Sequence, residues 1–273
     1  MELAGYIASL VIGISLGLIG GGGSILTVPV LVYLFGVEPV LATAYSLFIV
    51  GSTSLVGTVP KYRHGLVNLK TALVFGAPSI AAVYATRKFV VPAIPDVITT
   101  IGSFELTKPI LLMMLFAVLM VFASVNMIRS KVDEVHDDAE GNGKSSGSGV
   151  QKFNYPLILL EGAVVGILTG LVGAGGGFLI IPALVLLSKL PMKQAVGTSL
   201  LIIAAKSLIG FTGDISHYTM DWKLLLTVTA LAIAGIFAGN WLSHKIHADK
   251  LKKGFGWFVL VMGIYIIAKE LFF

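Results

Sequence analysis

Apolar residues fill eight long stretches of the chain, and most charged residues lie in the short segments between them. Most of these stretches approach or exceed the roughly 20 residues that a helix needs to cross a hydrocarbon core. The pattern therefore predicts an all-α protein that crosses a membrane several times. The stretches cover residues 3–35, 37–59, 71–86, 109–128, 155–187, 194–212, 224–242 and 255–273.

The last four stretches repeat the first four. The segment GISLGLIGGGG at residues 13–23 reappears as GILTGLVGAGG at residues 166–176, an offset of 153 without a gap. Because apolar low complexity does not keep one register across prolines, serines and histidines, the sequence predicts two homologous halves, residues 1–128 and 154–273. The same offset pairs Pro29 with Pro182, Ser46 with Ser199, Ser54 with Ser207 and His64 with His217.

Residues 129–153 join the two halves and are rich in Asp, Glu, Lys, Gly and Ser. Such a segment has almost no apolar surface to bury, so it cannot offset the entropy of ordering its backbone. We predict a flexible aqueous linker here.

Glycines and prolines interrupt the first stretch of each half. Glycine accepts positive φ and proline lacks an N–H, so regular helix is weakened at these points. In lipid, unpaired backbone groups are tolerated only inside protein or along a wet cavity, and matched interruptions point to a transporter's midplane site. The alternative is that the glycines only allow close helix packing, which applies best to the isolated Gly17 and Gly170.

The distribution of Lys and Arg separates two topologies. If each interrupted stretch crosses the membrane fully, nine basic residues lie on either side. If each is a re-entrant hairpin followed by three spans, thirteen lie on one side and five on the other. Since basic loops stay in the cytoplasm, this asymmetry favours inverted repeats with a cytoplasmic linker.

The two glycine-rich breaks are the predicted anion site. Free amides at a glycine turn, and the positive dipole end of a half-helix that starts there, attract negative charge. Proline prefers the first helical position, so Pro29 and Pro182 are the expected starts of the returning helices, with residues 24–28 extended. The candidate binding residues in the breaks are Gly20, Gly21, Gly22, Gly23, Ser24, Gly173, Gly175, Gly176 and Gly177.

The second stretch of each half contributes polar side chains. A charge at Lys206, inside residues 194–212, is expensive in a membrane and indicates a function, here to neutralise a bound anion. The alternatives are that Lys206 pairs with Asp214 or extends to the interface, and that the hydroxyls bond to their own helix turn. The further binding candidates are Ser46, Ser54, Thr198, Ser199 and Ser207.

Three ionisable residues near predicted span ends are candidates for coupling. Histidine titrates near neutral pH, so His64 and His217, together with Asp214, could move protons with the substrate. The alternative for the two histidines is an interfacial capping role.

Composition narrows the function classes. The 273 residues are 56% hydrophobic and only 12% charged, with a mean hydropathy of +0.94, against roughly 25% charged residues in soluble domains. The absence of cysteine excludes disulfides and thiolate chemistry, and there is no HExxH or phosphate-binding loop. Basic residues at the ends of the predicted spans explain the net charge of +5, so this charge does not indicate binding to nucleic acid. No metal site or cofactor is predicted.

The segments GLIGGGG and GLVGAGGG, each followed by a proline, together with the residues 197–200 (GTSL) and the trailing histidines, resemble the TauE/SafE sulfite exporter family, also called the toluene-sulfonate uptake permease family. The resemblance implies a secondary transporter in the bacterial inner membrane that moves sulfite, sulfonates such as sulfoacetate, or related small anions. It also implies a duplicated module of about three spans. The first half departs from the pattern, with TAYS at residues 43–46 where the second half has VGTS.

Two other function classes are weighed against the transporter. A passive anion channel would use the same site without coupling, and a membrane enzyme or assembly factor finds no catalytic constellation in the sequence. Substrate identity, direction, the coupling ion (protons or sodium) and assembly into a homo-oligomer stay open.

Overall fold

The computed structural model describes residues 2–101, 104–129, 155–186, 188, 190–242 and 248–272. The predicted linker lies outside the described residues apart from Arg129, which ends a helix. The elements of the first half are α1 (Glu2–Ile19), a 3₁₀ turn (Gly21–Leu26), α2 (Thr27–Tyr33), α3 (Pro39–Arg63), α4 (Leu69–Ala85), a π turn (Thr86–Val90), α5 (Val91–Ala93), strands β1 (Val97–Ile101) and β2 (Phe104–Thr107), and α6 (Lys108–Arg129).

The second half repeats this order without the strands among its described residues. Its helices are α7 (Tyr155–Val172), α8 (Gly177–Leu186), α9 (Met192–Thr212), α10 (Trp222–Leu242) and α11 (Ala248–Phe272). In the described part of the chain, five helical segments are long and apolar enough to cross a membrane. The prediction of an all-α polytopic membrane protein is therefore confirmed, with one addition: β1 and β2 form an antiparallel hairpin that the sequence pattern did not predict.

Side chains fix the helix starts that lead into the core. The carboxylate of Glu38 accepts a hydrogen bond of 3.0 Å from the Leu41 N–H, with Pro39 at the first position of α3. The amide oxygen of Asn68 accepts one of 3.0 Å from the Thr71 N–H at the start of α4. Both caps satisfy amides that have no acceptor within their helix.

Helices of one half pack mainly on helices of the other. Helix α1 lies along α10, and its counterpart α7 lies along α4, while α3 crosses α9 and α6 packs on α11. Glycines permit the close approach: a methyl group at Gly13 would overlap the backbone of Ala232, and one at Gly166 would overlap that of Ser79. These two contacts are copies of each other at the offset of 153, as expected for small residues at membrane helix crossings.

The first interrupted stretch returns to the end of the molecule where it starts. The ring of Phe35 lies against Gly5, and it packs edge-on against Tyr6 with ring centroids 5.3 Å apart. This end-to-end contact is what a re-entrant hairpin of α1 and α2 requires.

Two contacts between the halves define the opposite ends of the bundle. At one end Gly197 lies against the Leu66 carbonyl, and the Asn68 N–H donates to Thr198 Oγ1 at 2.9 Å. At the other end Arg87 lies 3.5 Å from Asp214. If the interrupted stretches crossed the membrane fully, the two partners of each contact would lie on opposite sides of the membrane. The contacts therefore agree with the re-entrant arrangement, in which thirteen basic residues lie on one side and five on the other. The inverted relation of the halves stays a prediction.

Candidate functional site

The two glycine-rich breaks meet inside the protein. Gly21 lies directly against Gly177, backbone on backbone, and Gly175 lies against the side chain of Ser24. All four residues are buried. Convergence of the breaks thus follows from the fold, whereas substrate binding at them stays a prediction.

The breaks depend on backbone conformations that favour glycine. Gly20 has φ of 75°, and Gly173, Gly175 and Gly176 have φ of 72°, 65° and 71°. Residues with a Cβ rarely adopt these values. Three such glycines within four residues explain why α7 cannot continue beyond Val172.

The returning helices do not start at the prolines. Helix α2 begins at Thr27, so Pro29 lies inside its first turn, and α8 begins at Gly177, so Pro182 lies inside the helix. The segment after Gly23 is also not extended, because Ser24 Oγ donates to the Gly21 carbonyl at 2.7 Å and residues 21–26 form a 3₁₀ turn. The prediction was wrong because proline is tolerated throughout a first turn, and in membrane helices further in as well.

Lys206 is fully buried beside the second break. Its ammonium donates to Thr169 Oγ1 at 2.9 Å and lies against Gly176. No carboxylate pairs with it among the described residues, since Asp214 pairs with Arg87 instead. Both alternatives for this lysine, a pair with Asp214 and extension to the interface, are therefore wrong.

The predicted hydroxyl residues fall into two groups. Near the start of α9, Thr198 accepts from Asn68 and Ser199 donates to the Val196 carbonyl at 2.8 Å. By contrast, the other three predicted hydroxyls, those of Ser46, Ser54 and Ser207, are among the buried hydroxyls that have no hydrogen-bond partner in the described part of the chain.

The twin residues Ser54 and Ser207 lie near the point where α3 crosses α9. Gly51 contacts Leu208 at that crossing, and the two serines lie within one turn of it along their helices. This places them in the same central layer as Lys206, the residue just before Ser207.

The structure separates the three coupling candidates. Asp214 and His217 share one turn after α9, where His217 Nδ1 lies 3.1 Å from the Gly213 carbonyl. His64 is exposed at the opposite end of the bundle, where its N–H closes the C-terminus of α3. Burial raises the pKa of the Asp214 carboxyl, and the charges of Arg87 and His217 offset part of that rise.

Arg87 is a buried charged residue near the breaks that sequence reasoning missed. It is fully buried, and its Nη1 donates to Thr43 Oγ1 at 2.9 Å while lying 3.5 Å from Asp214 Oδ2. The apolar stretch ends at residue 86, so the sequence pattern gives no sign that Arg87 is buried, but the helix continues through the π turn. The available signal was its copy at the offset of 153, Asn240, which is also polar.

The comparisons with known proteins agree with this architecture. The family model for "Sulfite exporter TauE/SafE" matches residues 6–266. The chain belongs to the TauE/SafE sulfite exporter family. The resemblance found from the glycine-rich repeats is thereby confirmed.

Several relatives match the TauE/SafE chain over most of their length. A "probable membrane transporter protein" of Xylella fastidiosa strain 9a5c is 28% identical over 94% of this chain and 91% of its own length. The protein YunE of Bacillus subtilis strain 168, with the same description, is 27% identical over 96% of this chain and 94% of its own. No solved structure matches.

These findings define the class of the protein. It is a multi-pass membrane transporter and not an enzyme, as the family, the relatives and the apolar helices show. A location in the bacterial inner membrane is consistent with them.

Proposed function

We propose that the protein is a secondary transporter of a small sulfur oxyanion, sulfite or a sulfonate such as sulfoacetate, bound at the second glycine break with Lys206 as its counter-charge. The observation that carries the proposal is the buried ammonium of Lys206, whose hydrogen-bond partner is the neutral hydroxyl of Thr169. A charge buried without a counter-ion is costly. An anionic substrate would supply the missing charge.

The backbone around Lys206 suits an anion. Helix α8 starts at Gly177, so the positive end of its dipole points at the break. The N–H groups of Leu179 and Ile180 donate to the Gly176 carbonyl, each at 3.0 Å, so the first-turn amides left for an anion are at most those of Gly177 and Phe178. Amide and ammonium donors together match the several acceptor oxygens of a sulfite or sulfonate.

Transport in this proposal requires the two breaks to separate. Gly21 and Gly177 are in direct contact, so no oxyanion fits between them until the backbones move apart. Rocking of one half against the other around a central site is the usual way in which duplicated transporters alternate access. Helix α1 packs on α10 of the other half, and α7 packs on α4 of the other half. These contacts provide the surfaces over which the halves would move.

A binding experiment tests the substrate class and the role of Lys206. Purified protein is heated with sulfite, sulfoacetate, methanesulfonate, sulfate or acetate, because a ligand of the folded state raises Tm by mass action. We expect sulfite or the sulfonates to raise Tm most, and Lys206→Gln to weaken binding at least tenfold. The matched control is Lys223→Gln, which removes an exposed lysine and should bind as the wild type does.

Each failure has its own meaning. Stabilisation by acetate alone would refute the sulfur oxyanion as substrate. Unchanged affinity of Lys206→Gln would refute the site while leaving the substrate class intact.

Flux in proteoliposomes distinguishes a secondary transporter from a passive channel. We expect the anion to accumulate above its equilibrium level when a proton or sodium gradient is imposed, and to leak back when an ionophore removes that gradient. Equilibration that never exceeds the electrochemical level of the anion would favour the channel.

A further inference from the structure

The guanidinium of Arg87 has one occupied edge and one free edge. Nη1 donates to Thr43 and faces Asp214, whereas Nε and Nη2 have no hydrogen-bond partner within the described ranges. Arg87 is fully buried, so bulk water does not serve these donors. Leaving buried donors of a charged group unpaired is unfavourable.

Asp214 does not fill the free edge. Its closest approach to the guanidinium is 3.5 Å, to Nη1, and neither of its oxygens accepts a hydrogen bond from the described residues. At that distance the pair is held by charge and not by a hydrogen bond. The carboxylate therefore neutralises Arg87 without using the Nε and Nη2 donors.

The free edge has the geometry of an oxyanion receptor. Two N–H groups on one side of a planar guanidinium point in parallel and match two oxygens of a carboxylate, sulfonate or phosphate. A lysine at this position would offer a point charge but no such fork.

Arg87 flanks the same break as Lys206. Thr43, its hydrogen-bond partner, contacts Gly173 at the start of the break, and Lys206 contacts Gly176 at its end. Three residues span at most about 11 Å of extended chain. Lys206 therefore lies at one end of this short backbone segment, and Arg87 lies near the other end, one side chain away.

The first break lacks both charges. At the offset of 153 the counterpart of Arg87 is Asn240 and that of Lys206 is Thr53, so both are neutral. The concentration of positive charge at one of two otherwise matching breaks indicates a purpose beyond helix packing.

We propose that the Nε and Nη2 edge of Arg87 is a second anion-binding station, which holds the oxyanion bidentately between Lys206 and the end of the molecule that contains Asp214. This inference rests on the proposed function and deepens it, since it adds a residue and a second position to the same pathway. Asp214 is the resident counter-ion that keeps Arg87 neutralised and oriented when the station holds no anion.

Two variants distinguish an anion station from a purely structural ion pair. Arg87→Lys keeps a positive charge beside Asp214 but removes the fork. The double variant Arg87→Gln with Asp214→Asn removes both charges, so no unpaired charge is buried even if the single variant fails to fold. Lys88→Gln is the matched control, because Lys88 is the exposed neighbour and bonds to Tyr84 at 3.0 Å.

Binding of methanesulfonate, sulfite, phosphate and acetate to the purified full chain is measured by calorimetry, alongside transport kinetics. We expect Arg87→Lys and the double variant to bind the preferred anion at least tenfold more weakly, with KM raised to a similar extent, and Lys88→Gln to match the wild type. Wild-type affinity and KM in either Arg87 variant would overturn the station and leave a structural ion pair.

The same panel keeps this inference distinct from the proposed function. If the wild type prefers phosphate or acetate and the Arg87 variants lose that binding, the result supports the anion station and refutes a sulfur oxyanion as the substrate. If sulfite or methanesulfonate binds the Arg87 variants normally but not Lys206→Gln, the proposed function stands and the station falls. If the wild type binds none of the four probes, both fall.

Discussion

At the scale of single residues, the two buried cations are held in different ways. Arg87 has a carboxylate at 3.5 Å, whereas Lys206 has a hydroxyl at 2.9 Å and no acidic partner in the described part of the chain. A buried ionic group with incomplete compensation destabilises the fold relative to an apolar group of similar shape. We therefore expect the buried charge of Lys206 to lower the free energy of unfolding of the protein.

Replacing Lys206 with methionine tests this trade between stability and function. Lys206→Met keeps an unbranched side chain, one heavy atom shorter, and removes the charge, so we expect the free energy of unfolding to rise by about 1–3 kcal/mol while transport is lost. Thermal unfolding in detergent and flux in proteoliposomes give the two readouts. Lys223→Met, at an exposed position, should change neither. A lower Tm for Lys206→Met would mean that the ammonium is a structural element.

Of these two cations, Lys206 could be identified from the sequence and Arg87 could not. Lys206 lies inside an apolar stretch, where a charge is energetically costly and therefore indicates a function. Arg87 lies at the edge of one, and its burial depends on Thr43 and Gly213, which are distant in sequence and brought to it by the fold. Local patterns carry no information on such packing.

At the scale of elements, the breaks were predictable and the helix starts were not. Clustered glycines indicate where α1 and α7 end, because several of these glycines have positive φ. The starts of α2 and α8 depend instead on how the two breaks pack on each other, with Gly21 against Gly177. The hairpin of β1 and β2 was missed for a similar reason, since its short strands follow no long alternating pattern.

The contact between the breaks makes Gly177 intolerant of a side chain. In Gly177→Ala the new methyl group overlaps the Gly21 backbone, which cannot move aside as a flexible side chain would. We expect overpacking to cost about 1–3 kcal/mol and to reduce transport. The matched control is Gly76→Ala, a helical glycine whose new methyl would meet Ile202 at an ordinary 3.8 Å.

Gly76→Ala should be neutral or slightly stabilising, because alanine favours helix by up to about 1 kcal/mol over glycine. Thermal unfolding of both variants under one set of detergent conditions provides the comparison. Equal Tm values for the two variants would show that the breaks are not in close contact in the protein.

At the scale of the whole molecule, the two halves form one packed unit. Each half places its first long helix on the third long helix of the other, and α3 crosses α9 between them. The duplication was readable from a constant offset of 153. Which helices pack together was not readable, because most faces of a membrane helix are apolar whether they meet lipid or protein.

The arrangement of the ends gives the topology a direct test. The chain has no cysteine, so single cysteines can be introduced without removing any others. In the re-entrant arrangement Gly36→Cys and Ser216→Cys lie outside the cell, and His64→Cys and Met192→Cys lie in the cytoplasm with the thirteen basic residues. All four native positions are exposed.

An impermeant maleimide should label positions 36 and 216 in intact spheroplasts, and positions 64 and 192 only after the membrane is opened. Full crossing of the interrupted stretches predicts a different grouping, with 64 and 216 on one side and 36 and 192 on the other. The grouping is decisive whichever pair is labelled first, since it depends on the number of crossings between positions and not on absolute orientation. Labelling of 64 together with 216 would therefore refute the inverted repeats, and with them the approach of the two breaks from opposite faces of the membrane.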